Sequence, residues 1–151
     1  MVYDDVRLFL EGARDAHLKC ADLRERARAL ESKAHRITAN LDGMPRSGNA
    51  DRDSVLAALA DAHGRLLMDI ADEEERKTEI ADFIDRVPTG AAGREILRRR
   101  YLHYESWKGV RRWMAAHGMT YSAQSVYRFH GEALSAARKL WEKERKLCSK
   151  S

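Results

Sequence analysis

The sequence predicts an all-α protein, a long antiparallel helical hairpin followed by three shorter helices, and three observations predict it. Charged residues make up 34% of the 151 positions and aromatics 7%, with only 9 Gly and 2 Pro, a composition of exposed helices rather than of a β-sandwich. Apolar residues recur in unbroken alternating steps of three and four through two long stretches, which is the period of helices packed in a coiled coil. Residues that stop and start helices lie between the periodic stretches.

The first helix carries the stripe Val6, Phe9, Ala13, Ala16, Cys20, Leu23, Ala27, Leu30, Ala34, Ile37 and Leu41. At 1.5 Å per residue it is roughly 50 Å long. One column of the stripe is mostly small (Ala13, Cys20, Ala27, Ala34), which permits close approach of a partner helix. The segment Asp42-Gly43-Met44-Pro45-Arg46-Ser47-Gly48-Asn49 is expected to form the turn, and Asp51 or Asp53 to cap a second helix. That helix has the stripe Leu56, Leu59, His63, Leu66, Ile70, Glu73, Lys77, Ile80, Ile84 and Val87, and Pro88 ends it.

Folding the two stripes together pairs Ile37 with Leu56, Ala34 with Leu59, Ala27 with Leu66, Leu23 with Ile70, Ala13 with Ile80 and Phe9 with Ile84, so that large residues tend to meet small ones. Glu73 and Lys77 then fall in the seam opposite Cys20 and Ala16. They are read as long side chains reaching to the edge of a thin seam, with a polar register device or an open partner patch as the alternatives. His63, opposite Leu30, is read as a partly exposed seam residue. The expected domains are 1–88, the coiled-coil hairpin, and 89–151.

Charge divides the chain. Residues 1–93 hold 14 Lys and Arg against 19 Asp and Glu, whereas residues 94–151 hold 14 against 5. A basic block on a folded segment is an electrostatic footprint for a polyanion, most often nucleic acid, although Lys and Arg also serve simply to solvate helix faces.

After the linker Thr89-Gly90-Ala91-Ala92-Gly93, a short helix from Arg94 to Tyr101 turns Ile96, Leu97 and Tyr101 inward. Ser106 is placed to cap a second helix with Trp107, Val110, Trp113 and Met114 on its inner face, ending near Gly118. Ser122 is placed to cap a third, whose apolar face is Val126, Phe129, Ala133, Leu134, Ala137, Leu140 and Trp141. Two short helices joined by a Gly-containing turn, with another packed before them, follow the helix-turn-helix plan. In that plan the start of the last helix reaches base edges and the preceding helix crosses phosphates. Ala123, Gln124, Tyr127 and Arg128 are therefore the expected base-contacting residues. Gln pairs bidentately with adenine and Arg with guanine, at about 1–3 kcal/mol of discrimination each. Arg98, Arg99, Lys108, Arg111 and Arg112, with Ser122 and Ser125, are the expected phosphate contacts. His130 is read as a packing or hydrogen-bonding residue, and Tyr101, Trp107 and Trp113 as core aromatics. Trp141 is expected to dock either on the hairpin or on a second subunit.

These residues also carry a resemblance. Arg94-Glu95-Ile96-Leu97-x-x-Arg100-Tyr101, then Ser106-Trp107-x-x-Val110, then Tyr121-Ser122-x-x-x-Val126-Tyr127-Arg128-Phe129-His130-x-x-Ala133-Leu134 resemble the helix-turn-helix of sigma-70 region 4. They look still more like small phage regulators of the ArpU and RinA kind. The segment Asp42-Gly43-Met44-Pro45-Arg46-x-Gly48 is similar to the Met-Pro-Arg-Gly turn between the two long helices of such proteins. The resemblance covers nearly the whole chain and implies a phage or prophage regulator of late transcription in a bacterial cytoplasm. The expected partner is double-stranded DNA, with the hairpin mediating either self-association, a dimer being favoured, or contact with RNA polymerase. The chain departs from the pattern between Met114 and Tyr121, where Ala115-Ala116-His117-Gly118-Met119-Thr120 is inserted, so either the first helix of the pair runs longer or the turn is wider. Arg111 and Trp113 also replace the small or acidic residues of the pattern.

Other function classes find little support. Nucleotide-binding, zinc-protease and serine-hydrolase motifs are missing, and Asp72-Glu73-Glu74-Glu75 reads as a solvated helix face, so no enzyme, cofactor or metal is expected. Cys20 and Cys148 have no metal-ligand spacing and are read as reduced bystanders. Mean hydropathy is −0.62, no stretch is apolar enough for a membrane, and the acidic Met1-Val2-Tyr3-Asp4-Asp5 start does not read as an export signal. Two alternatives to a regulator remain open here: a small terminase-like DNA-packaging protein, and a coiled-coil adaptor that does not bind DNA.

Overall fold

The computed structural model describes residues 3–39 and 49–150. The described residues are helical, with no strand among them, and no helix is long and apolar enough to cross a membrane. Five helices follow in order: α1 (Tyr3–Ala39), α2 (Asn49–Arg86), α3 (Ala91–Leu97, running on into a π-helical turn over Arg98–Leu102), α4 (Trp107–Ala116) and α5 (Ala123–Ser149). The expected turn after Leu41 lies outside the described residues up to Gly48. Asn49 already opens α2, which places Asp51 in the first turn, beside the unsatisfied N–H groups, rather than at a cap ahead of it.

The chain divides into two compact units, residues 16–75 and residues 1–15 with 76–151. In the first, α1 and α2 are antiparallel. Lys19 lies 3.8 Å from Glu73, Arg24 bonds Glu74 at 2.6 Å, the Cys20 thiol points at the Ile70 carbonyl at 3.9 Å, and Glu31 meets His63 at 2.9 Å, so partners on α2 recede as α1 advances. Ala16, Cys20 and Ala27 are buried, whereas Leu23, Leu30, Ile37, Leu56, Leu59, Leu66 and Ile70 are only half-buried. Small residues sink into the seam and large ones lean over its edges, as two helices without a third layer dictate. Glu73 reaches across that edge toward Lys19.

The second unit holds the buried core, in two clusters. In the larger, Val6, Leu10, Ala13, Ile80, Phe83, Ile84 and Val87 pack with Leu97, Tyr101, Ala133, Leu134 and Ala137. Fully burying each large side chain here contributes about 1.5–3 kcal/mol. Trp141 docks on α1 and α2, its ring 4.5 Å from that of Phe9 and 6.1 Å from that of Phe83. Leu10 and Phe83 lie outside the single stripes read from the sequence. They are buried because the first turns of α1 and the last turns of α2 face α5 as well as each other, which takes a second apolar row on each helix. That shared cluster is why the compact unit includes both helix ends instead of beginning at residue 89.

α3 starts three residues earlier than the sequence suggests, and Gly93, expected in the linker, is buried inside it. A Cβ at Gly93 would stand 2.7 Å from Thr89 Oγ1 and 3.3 Å from the Ala133 Cβ, so glycine sets how closely α3 approaches α5. Arg94 donates to the carbonyls of Val87 and Thr89, at 3.1 and 3.4 Å, and so covers the end of α2 beside Pro88.

Replacing Gly93 by Val should destabilise the fold by about 1–3 kcal/mol through overpacking against Ala133. Gly131, in mid-α5 with open space at its Cβ, should behave oppositely, Gly131→Ala adding about 0.5–1 kcal/mol. Chemical denaturation of both variants checks this, and equal effects of one sign would contradict the packing assigned to Gly93.

Candidate nucleic-acid interface

The ends of α4 and α5 are fixed by caps that the sequence announces. Ser106 Oγ accepts the Gly109 N–H at 3.1 Å and opens α4; Ser122 Oγ accepts the Ser125 N–H at 3.2 Å and opens α5. Between the two helices, the chain widens the turn and leaves α4 short. Gly118 takes φ of +80°, and the N–H groups of Gly118 and Met119 return to the carbonyls of Ala115 and Met114, at 3.3 and 2.8 Å. This is a Schellman closure, in which glycine at the left-handed position lets two orphan carbonyls be satisfied. Met119 then packs on the second core cluster, formed by Ile96, Val110, Met114 and Val126.

This frame sorts the expected contact residues into two groups. Lys108, Arg111 and Arg112 are exposed on α4 and form no ion pair or hydrogen bond among the described residues. With Ala115, Thr120 and Tyr121 they line an open groove of about 350 Å³ that has no acidic side chain among the described residues. Thr120 and Tyr121 are members that sequence reasoning missed; the only signal for them is their place just ahead of the Ser122 cap. On α5, Gln124 and Arg128 are exposed and Tyr127 is 51% exposed, whereas Ala123 and Ser125 are half-buried. Arg128 lies 3.9 Å from Glu132, with both side chains about two-thirds exposed, a pair too solvated to hold the guanidinium. Ser122 and Ser125 are engaged with each other, the Ser122 hydroxyl donating to Ser125 Oγ at 3.1 Å.

Arg98 and Arg99 depart from the expectation that they are free to meet phosphates. Arg98 bonds Asp85 at 2.6 Å and also pairs with Glu95; the Asp85 carboxylate raises its pKa further above the ordinary range. Arg99, 21% exposed, lies 3.4 Å from Glu105 and stacks its guanidinium 3.9 Å above the Trp113 ring. Carboxylates already neutralise both, so they tie α3 to α2 and α4. Trp113 is accordingly the middle of a stack, with His117 4.0 Å away on its other contact.

The exposed Tyr127 rests edge-on against Trp107 at 4.9 Å, and Trp107 meets His130 at 4.8 Å and lies 4.5 Å beneath the Arg100 guanidinium. His130 shares a hydrogen bond of 3.1 Å with the Tyr101 hydroxyl. Burial, reinforced by the charges of Arg7 and Arg100, pushes His130 down to about 4, and burial raises Tyr101, so both rings are neutral at pH 7. Among the described residues no group of three or more His, Cys, Asp and Glu could hold a metal ion.

The His130 environment makes stability pH-dependent. Below the ordinary histidine pKa of about 6.5 the unfolded chain takes up a proton that the folded ring refuses. Stability should therefore be flat above pH 7 and fall between about 6.5 and 4. We expect a loss of about 2 kcal/mol after discounting for the water-exposed part of the ring. Denaturation curves across that range, compared with those of His130→Gln, check this; an unchanged slope in the variant would assign the loss to other groups.

Comparison of the chain with protein-family models, characterised proteins and solved structures returns no match.

Proposed function

We propose that this protein is a sequence-specific DNA-binding transcription regulator of phage or prophage type, with α4, the turn and α5 acting as a helix-turn-helix similar to sigma-70 region 4 and α1 with α2 as a coiled-coil hairpin. One observation carries the reading: three cations without partners among the described residues, Lys108, Arg111 and Arg112, border the capped start of a helix whose first exposed side chains include Gln124 and Arg128. Phosphate contacts position a protein on the duplex and base contacts supply the sequence information. The α4 groove offers the first kind of group and the start of α5 offers the second. The amino end of α5 adds its dipole for a phosphate oxygen. Within residues 16–75 the large seam residues of the hairpin are only half-buried, which suits association with a second copy, and RNA polymerase is the other candidate partner.

Gel-shift titration of duplex DNA against salt tests this. Each phosphate contact steepens the fall of log K with log salt by about 0.9. Replacing Arg111 or Arg112 by Ala should weaken all sequences alike and lower that slope by about one contact, while Arg128→Ala should relax preference at one base pair by about 1–3 kcal/mol. Recovery of bound fragments from a whole genome supplies the sequences. Absence of binding at low salt would leave a coiled-coil adaptor, and a large ring on mass measurement would favour DNA packaging.

A further inference from the structure

The carboxyl half of α5 carries a second set of cations. Lys139, Lys143 and Lys146 follow steps of four and three, and Lys150, four further on, caps the helix. All are exposed, and none of their side chains forms an ion pair or hydrogen bond among the described residues. Of the acids of residues 94–151, Glu95 and Glu105 pair with Arg98 and Arg99, Glu142 with Arg138 and Glu144 with Arg86, while Glu132 makes only a solvated contact with Arg128 at 3.9 Å. Arg145 faces Asp5 at 4.0 Å and lies over the Trp141 ring. Ion pairing inside the unit thus uses arginine and leaves this lysine row bare. The attraction of lysine to a helix carboxyl end fades within the last turn, so it accounts for Lys146 but not for Lys139 or Lys143.

The row has a definite relation to the start of the same helix. At 3.6 residues per turn, Gln124, Arg128, Lys139, Lys143 and Lys146 project within an arc of about 100°. Glu132 projects inside this arc, in solvated contact with Arg128, and Glu142 at its edge, paired with Arg138. Lys139 lies about 22 Å and Lys146 about 33 Å along the axis from Gln124. The major groove is only about 12 Å wide, so for a helix that begins in the groove any contact from Lys139 onward is with sugar and phosphate rather than base edges.

We propose that Lys139, Lys143 and Lys146 form a second phosphate-binding surface, which grips the backbone flanking the site read by the start of α5. This rests on the DNA-binding reading above. The row contributes affinity and salt dependence, and no sequence preference.

The test compares Lys139→Gln/Lys143→Gln/Lys146→Gln with a control that removes the same charge from α1, Arg28→Gln/Lys33→Gln/Arg36→Gln, and with the unmodified protein. Affinity for a long duplex is measured from 50 to 200 mM KCl. The row variant should lose about 2–3 units of salt slope, at about 0.9 per contact, with the ranking of sequences unchanged, and the control should keep its slope. Trimming the flanking duplex should weaken the unmodified protein and leave the row variant nearly indifferent, a comparison that does not depend on absolute activity. Equal slopes in all three proteins, or equal sensitivity to trimming, would overturn this surface while leaving the groove reading intact. A protein that binds no duplex at low salt would overturn both.

Discussion

The burial of one face of α5 against α3, the first turns of α1 and the last turns of α2 is the constraint on which the second unit depends. Ala133, Leu134 and Ala137 are the contact points, and two of the three are alanines. Small side chains there allow backbones to come close, as Gly93 does on α3, and the large partners Leu10, Phe83, Leu97 and Tyr101 fill the space around them. A close approach fixes the azimuth of α5 about its own axis. The azimuth decides which residues are left outside: with Val126, Ala133 and Ala137 buried, Gln124, Arg128 and the lysine row must point to solvent. The exposed face is thus a consequence of which residues pack.

Charge is sorted by the same packing. An arginine can stack and bond in several directions at once, and the ones near the core do so: Arg94 on carbonyls, Arg98 on two carboxylates, Arg99 on a carboxylate and Trp113, Arg100 on Trp107 and the Glu105 carbonyl. Lysine is a strongly hydrated point charge with little to gain from such sites. Asp85, Glu95, Glu105, Glu142 and Glu144 all pair with arginines, and the cations without a carboxylate among the described residues lie on α4 and along the far half of α5. Net charge of the segment alone cannot say this; Arg98 and Arg99 count toward it and are spent.

Element type and most boundaries were legible in the sequence because they are local. The serine caps at 106 and 122, the Gly118 stop and the Pro88 break act within a few residues, and the three-and-four spacing reports a helix whatever it packs on. The antiparallel run of α1 against α2 was legible for a related reason, since matching small to large residues leaves few registers. Leu10 and Phe83 were hidden because their burial depends on a third helix more than 40 residues away in sequence. Gly93 was hidden likewise, since linker and close-packed helix call for the same residue. At the candidate interface, exposure of Gln124 and Arg128 followed from helical phase, whereas the fate of Arg98 and Arg99 turned on Asp85 and Glu105, which no periodicity brings together.

The aromatic residues couple these levels. Tyr127 is held by Trp107, Trp107 by Arg100 above it and His130 beside it, and His130 by the Tyr101 hydroxyl inside the core cluster. Burial, with the charges of Arg7 and Arg100 nearby, favours the neutral His130 ring in this chain of contacts. The same rings that close the core over α3 therefore set the position of an exposed side chain beside Gln124 and Arg128. A change at Trp107 or His130 would reach that surface through geometry while leaving its own charges untouched.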